Sequence, residues 1–135
     1  LWGSFTVVGP RHRLFLSGDG GYGQHFKHIG TKYGPFDLTI IDIGAYGESW
    51  PDIHLTPEQA IQAHRDVRGR VMIPGHWGTF KLDIHAWDDP IRRAWTAAQR
   101  TKTRLATPML GEFTYPEKAL PRRQWWRAHT TSTAH

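Results

Sequence analysis

The sequence contains no cysteine. That excludes a disulfide framework and a thiolate metal site, so any transition metal must be held by His, Asp or Glu. It also lacks an apolar run near the roughly 20 residues that a membrane-spanning helix needs. The longest such run, Leu38-Thr39-Ile40-Ile41-Asp42-Ile43, has the length of a buried strand. No Gly-x-Ser-x-Gly elbow is present, and the glycine-rich stretch 18–23 lacks the Gly-Lys-Ser/Thr ending of a phosphate-binding loop. No His-x-His pair occurs anywhere. Nor is there a basic stripe. The net charge of +5 is concentrated near the C-terminus, where Lys118, Arg122, Arg123 and Arg127 face only Glu117. That pattern speaks against nucleic-acid binding and fits a solubilising tail or contact with anions.

What is present fits a soluble globular domain. Hydrophobic residues make up 39% and charged residues 21%, enough apolar content for one core. The sequence opens at Leu1, not Met, and reads as a piece of a longer protein. Phe5–Val8 and Arg13–Ser17 read as short strands separated by the Gly9-Pro10 turn. Tyr22, Phe26 and Ile29 have helical spacing, which predicts a helix over about 22–32, stopped at Gly34-Pro35. Phe36–Ile43 is nearly continuous in apolar residues, as expected of a strand covered on both faces. Thr56-Pro57-Glu58-Gln59 is a capping box with Pro at the first helical position. The helix it opens should run to about Val67, with Ala60, Ile61, His64 and Val67 inward and Gly69 as its C-cap. Val71–Ile73 is a short buried strand, residues 88–98 a further helix, and Leu105-Ala106 a last strand. This alternation argues for α/β layering.

Three residues are placed to carry chemistry. Asp19 follows the second strand, His54 lies in the loop between the third strand and the capped helix, and His76 follows the fourth. Loops at the carboxyl ends of strands converge on one rim of an α/β sheet, so these groups could meet there. Carboxylate oxygen and imidazole nitrogen are ordinary Zn²⁺ ligands. Each residue also has a plainer reading: Asp19 as a turn residue, His76 as a loop histidine beside Trp77, and His54 as part of the helix entry. His25 and His28, three apart on the first helix, could form a second pair, though a solvated helix face accounts for them as well.

Longer strings carry a resemblance. Leu1-Trp2-Gly3-Ser4-Phe5, Phe15-Leu16-Ser17-Gly18-Asp19-Gly20-Gly21-Tyr22 and Gly34-Pro35-Phe36-Asp37-Leu38 occur in order. Ile43-Gly44-Ala45-Tyr46, His54-Leu55-Thr56-Pro57-Glu58-Gln59-Ala60 and His76-Trp77-Gly78-Thr79-Phe80 follow. Together, over about residues 1–112, they resemble the metallo-β-lactamase superfamily. The resemblance is nearest to the branch containing N-acyl-phosphatidylethanolamine phospholipase D. It implies an αββα sandwich with two zinc ions at one rim. Asp19 then matches the carboxylate that bridges both metals, His76 a metal-ligating histidine, and His54 a catalytic histidine that binds or protonates substrate. The implied reaction is metal-assisted hydrolysis by a metal-activated hydroxide.

Two departures qualify it. Gly20 stands where the family usually has Thr. The His-x-His-x-Asp-His motif and a further ligand His are absent, and both belong to the N-terminal half of the fold. Residues 1–115 therefore read as the C-terminal half of a metallo-β-lactamase-like domain, and 116–135 as a basic, Trp-containing tail. The expected function is the C-terminal portion of a zinc-dependent hydrolase of the phosphodiesterase or phospholipase D type. Its substrate would be a small-molecule or lipid phosphodiester or ester. The expected partner is the missing N-terminal half or a second copy of the chain, and the expected location is the cytoplasm. Two alternatives stay open. One is a truncated or decayed relative that keeps only the fold. The other is a module in which Arg122-Arg123-Gln124-Trp125-Trp126-Arg127 makes peripheral contact with an anionic membrane surface.

Overall fold

The computed structural model describes residues 3–80 and 83–132. Leu1 and Trp2, which open the first family string, and the final residues 133–135 lie outside them. Strands β1 (Phe5–Val8) and β2 (Arg13–Leu16) form a hairpin. Then come α1 (His25–Tyr33), β3 (Phe36–Asp42), α2 (Pro57–Asp66), β4 (Gly69–Gly75) and α3 (Asp89–Thr101). A 3-10 helix covers Trp125–Ser132. The sheet order is β1-β2-β3-β4; β1 runs antiparallel to β2, and the other two pairings are parallel. Parallel neighbours need crossovers, and α1 and α2 supply them.

The register sorts the strand residues into two faces. One cross-strand row is Thr6, Phe15, Thr39 and Met72. The last three are fully buried beneath the helices, in a core that also holds Phe26, Ile61 and Ile91. The alternate rows are Phe5, Leu16, Ile40, Ile73 and Val7, Leu14, Leu38, Val71. These face the other way. Of them only Val71 is fully buried; Phe5 is 68% exposed, Val7 49% and Ile40 37%. The third strand is thus fully covered on one face only, where its continuous apolar run predicts cover on both. The pattern of a two-sided strand is present, but among the described residues the second side is only partly covered, fully at Val71, and stays open at Phe5, Val7 and Ile40.

Local chemistry accounts for most element ends. Thr56 Oγ1 accepts from Gln59 N–H and the Gln59 side chain accepts from Thr56 N–H, the reciprocal box expected from the sequence. The helix ends at Val67, and Arg68, not Gly69, takes the left-handed conformation (φ 62°). Gly69 instead opens β4, because a Cβ there would lie 2.4 Å from the His64 ring. The first helix begins later than its spacing suggests, at His25; Tyr22 remains outside it but stacks on Phe26. Leu105 forms a single bridge to Met72, not a full strand.

The C-terminal segment docks on the body. Trp126 is fully buried, its ring edge-on to Trp77 and Trp95, and Trp125 stacks on Trp77. Thr107 anchors the segment through Pro121 C=O at 2.7 Å and Arg123 C=O at 3.1 Å. Trp126 is therefore held in the core. Among the described residues, no helix is long and apolar enough to cross a membrane.

Candidate metal and catalytic site

The carboxyl ends of β2, β3 and β4 meet at one rim, and Asp19, His54 and His76 gather there. Asp19 follows β2 by way of Gly18, whose left-handed backbone (φ 62°) turns the chain across the strand end. His76 leaves β4 with φ 54°, also left-handed and unusual for a residue other than Gly. That turn aims its ring across the rim. His76 Nε2 lies 3.5 Å from Asp19 Oδ1. His54 reaches the same place from the loop ahead of α2, with its ring centroid 5.4 Å from that of His76.

A fourth residue stands behind the two histidines. Asp42 ends β3, and its side chain is 1% exposed. Its Oδ2 accepts a hydrogen bond from His54 Nδ1 at 2.7 Å, and its Oδ1 lies 3.8 Å from His76 Nδ1. Oδ1 also accepts from Gly44 N–H at 3.0 Å, and Ser17 Oγ accepts from Asp42 N–H at 3.0 Å. Asp42 was passed over in the sequence as one polar residue in an apolar strand. The available signal was its position: a carboxylate at the carboxyl end of a buried strand, on the rim already singled out. The histidines His25 and His28 do not join this group; both are exposed on α1.

Several cavities adjoin the rim. One, of about 600 Å³, runs from His54 past Tyr46, Glu48, His85 and Arg93. Tyr46 is its most constrained wall. Its hydroxyl donates to Asp89, His85 stacks on it at 4.4 Å, and the Arg93 guanidinium lies 4.8 Å above its ring. Burial, then the bond to Asp89, raises the Tyr46 pKa well above the ordinary phenol value, so it stays a neutral hydroxyl. Arg93 forms a two-pronged pair with Glu58, at 3.1 and 2.6 Å. Burial alone would raise the Glu58 pKa; that bidentate pair outweighs it and lowers the value. Another cavity, about 240 Å³, is lined by Gly44, His76, Trp77, Thr79 and Phe80.

The donor set can be tested against a metal ion. With zinc–ligand bonds of about 2.0–2.2 Å in tetrahedral geometry, two donors on one ion lie about 3.3–3.6 Å apart. The 3.5 Å between His76 Nε2 and Asp19 Oδ1 fits that spacing. Asp42 does not add a third donor, because its oxygens face the Nδ1 atoms on the far side of the rings. Among the described residues, no group of three or more His, Cys, Asp or Glu is arranged to hold a metal ion. Two donors fit; a complete coordination shell is not present in them.

Comparison with known proteins identifies the fold that carries these acidic and imidazole groups at its carboxyl rim. Residues 1–77 match the Beta-lactamase superfamily domain. An uncharacterised protein of Mycobacterium tuberculosis is 44% identical over 130 residues, covering 94% of this chain and 35% of its own length. The N-acyl-phosphatidylethanolamine-hydrolyzing phospholipase D 1 of Caenorhabditis elegans is 42% identical over 85 residues, 61% of this chain and 24% of its own. Among solved structures, the metallo hydrolase Igni18 of Ignicoccus hospitalis superposes with a TM-score of 0.62 at 23% identity. It covers 82% of this chain and 45% of its own. The metallo-β-lactamase-fold protein YhfI of Bacillus subtilis gives 0.59 at 15% identity, covering 81% and 42%. This chain belongs to the β-lactamase superfamily domain family and has the metallo-β-lactamase fold. It spans about a third of the mycobacterial relative and under half of these two solved structures.

Proposed function

We propose that this chain forms the C-terminal half of a zinc-dependent hydrolase acting on phosphodiesters or related esters, lipids among them. The observation that carries this reading is the 3.5 Å approach of His76 Nε2 to Asp19 Oδ1 at the carboxyl rim. Asp19 and His76 would hold the metal, with the remaining ligands supplied by the N-terminal half of the fold. A bound cation would supply Lewis acidity and an activated water. The chain's own residues do the rest. His54 presents Nε2 to the mouth, where it can bind or exchange a proton with substrate. The cavity beyond His54 holds the part of the substrate away from the reacting bond, with Tyr46 and His85 as its flat wall. The likeness to an N-acyl-phosphatidylethanolamine-hydrolyzing phospholipase D supports the substrate class.

The open sheet face supports the same architecture. In an αββα sandwich the second sheet packs against the first, each burying its inner face. The rows through Phe5, Val7, Leu38 and Ile40 are where the N-terminal half would lie.

Hydrolysis of bis(p-nitrophenyl) phosphate tests the reading. The chain joined to an N-terminal half of the fold turns it over with Zn²⁺ or Mn²⁺ and loses that activity in Asp19→Ala. The chain alone shows negligible turnover, for want of ligands. Turnover by the chain alone that vanishes in Asp19→Ala would overturn the division of the site between two halves.

A further inference from the structure

Asp42 is the most deeply buried carboxylate at the rim, and a buried charge persists only where hydrogen bonds compensate it. Its compensation is specific. Gly44 N–H donates to Oδ1, His54 Nδ1 contacts Oδ2, and His76 Nδ1 faces Oδ1. An ionised carboxylate can only accept, so the 2.7 Å contact places the proton of neutral His54 on Nδ1. Its Nε2 is then a bare lone pair directed away from Asp42. His76 Nδ1 lies 3.8 Å from Oδ1, beside the carboxylate but outside hydrogen-bond range. Its Nε2 is the atom turned to Asp19, which a metal-binding role requires to be unprotonated.

The backbone around this carboxylate is shaped for the same end. A Cβ on Gly44 would lie 1.9 Å from His76 C=O, so only glycine lets the 43–45 turn close against the left-handed His76. The turn that seats Asp42 and the turn that aims His76 are one packed unit.

We infer that Asp42 is a positioning residue that holds His54 by Nδ1 and stands behind the His76 ring, fixing His54 in the Nδ1–H tautomer and leaving its Nε2 free at the mouth. Its use in catalysis rests on the hydrolase reading above; the tautomer does not. His54 would then meet substrate as a proton acceptor and not, in its neutral form, as a donor. A carboxylate behind a ligand histidine also orients the ring and raises its basicity, and losing such a partner typically costs about 10–100-fold in metal affinity or activity.

The test is nitrogen-15 NMR of histidine-labelled protein above the imidazole titration range, with the His54 signals assigned from His54→Gln. The expected result is a protonated Nδ1 and a bare Nε2 in the unsubstituted protein. In Asp42→Asn, whose amide can donate to the ring, the His54 proton moves to Nε2, and metal affinity falls about 10–100-fold. A proton on Nε2 of His54 in the unsubstituted protein overturns the inference outright, without recourse to a variant that might misfold. So does an unchanged His54 pattern in a folded Asp42→Asn protein. A correct tautomer in a protein without hydrolase activity would leave the inference standing and remove the proposed function instead.

Discussion

His64 lies inside the core, 3% exposed, with Nδ1 2.9 Å from Thr39 Oγ1. Burial, with a smaller effect from the Arg65 charge, lowers its pKa from 6.5 to about 4. The folded state therefore needs His64 neutral, while the unfolded chain takes up a proton below about 6.5. The stability this contributes is present above pH 6.5 and is lost as pH falls from about 6.5 toward 4. At roughly 1.4 kcal/mol per pKa unit, the loss by pH 5 is on the order of 2 kcal/mol. Denaturant melts at pH 7 and pH 5 should show it. A His64→Gln protein should be less stable at pH 7 but much flatter across that range; an equally steep dependence would place the titrating group elsewhere. The residue scale also shows where the sequence was opaque. His64 was legible as inward from its helical spacing, because periodicity reports which face is buried. Asp42 was not, because its value lies in what its oxygens touch, and spacing carries no information about contacts between separate loops.

At the scale of elements, α2 sets the position of His54. The capping box fixes the backbone at Thr56, two residues after the catalytic candidate, so the start of the helix and the site form one local structure. Thr56→Ala should lower stability by about 1 kcal/mol, the usual cost of losing an N-cap side chain. It should also loosen His54 against Asp42. Chemical denaturation reads the first effect, and broadening of the His54 ring signals reads the second. A stability loss with unchanged His54 signals would show that the loop is held independently of the cap. The α2–α3 contact leans on Glu58 and Arg93, both more than a third exposed, so solvent screening keeps their pairing modest. Its greater effect is to hold Arg93 over Tyr46 at the cavity wall. Capping boxes are readable because their chemistry is local. The same helix caps at Val67, two residues before the Gly69 that the sequence suggests, and glycine at 69 is explained by the His64 ring packed on it. The docked C-terminal segment was equally hidden: its burial depends on Trp77 and Trp95, distant in sequence from Trp126.

For the whole molecule, the fold class was the most legible property. Alternating periodicities and strand-end placement announce an α/β sheet, and the ordered family strings narrow it to half of an αββα sandwich. The uncovered face is the physical consequence of that half. Removing on the order of 400 Å² of apolar surface from water is worth about 10 kcal/mol, comparable with the stability of a whole domain. The chain alone should therefore self-associate at micromolar concentration and bind a hydrophobic dye, both effects relieved by an N-terminal half. Sedimentation as a dye-free monomer with a cooperative melt would contradict this. The central claim is that Asp19 and His76 converge on one cation. The most direct measurement is Mn²⁺-induced broadening of backbone amide signals, mapped over the chain at low metal concentration. Broadening should centre on the residues around Asp19 and His76, extend to His54, and disappear from that rim in Asp19→Asn. Broadening centred on His25 and His28, or none that responds to Asp19→Asn, would contradict the account.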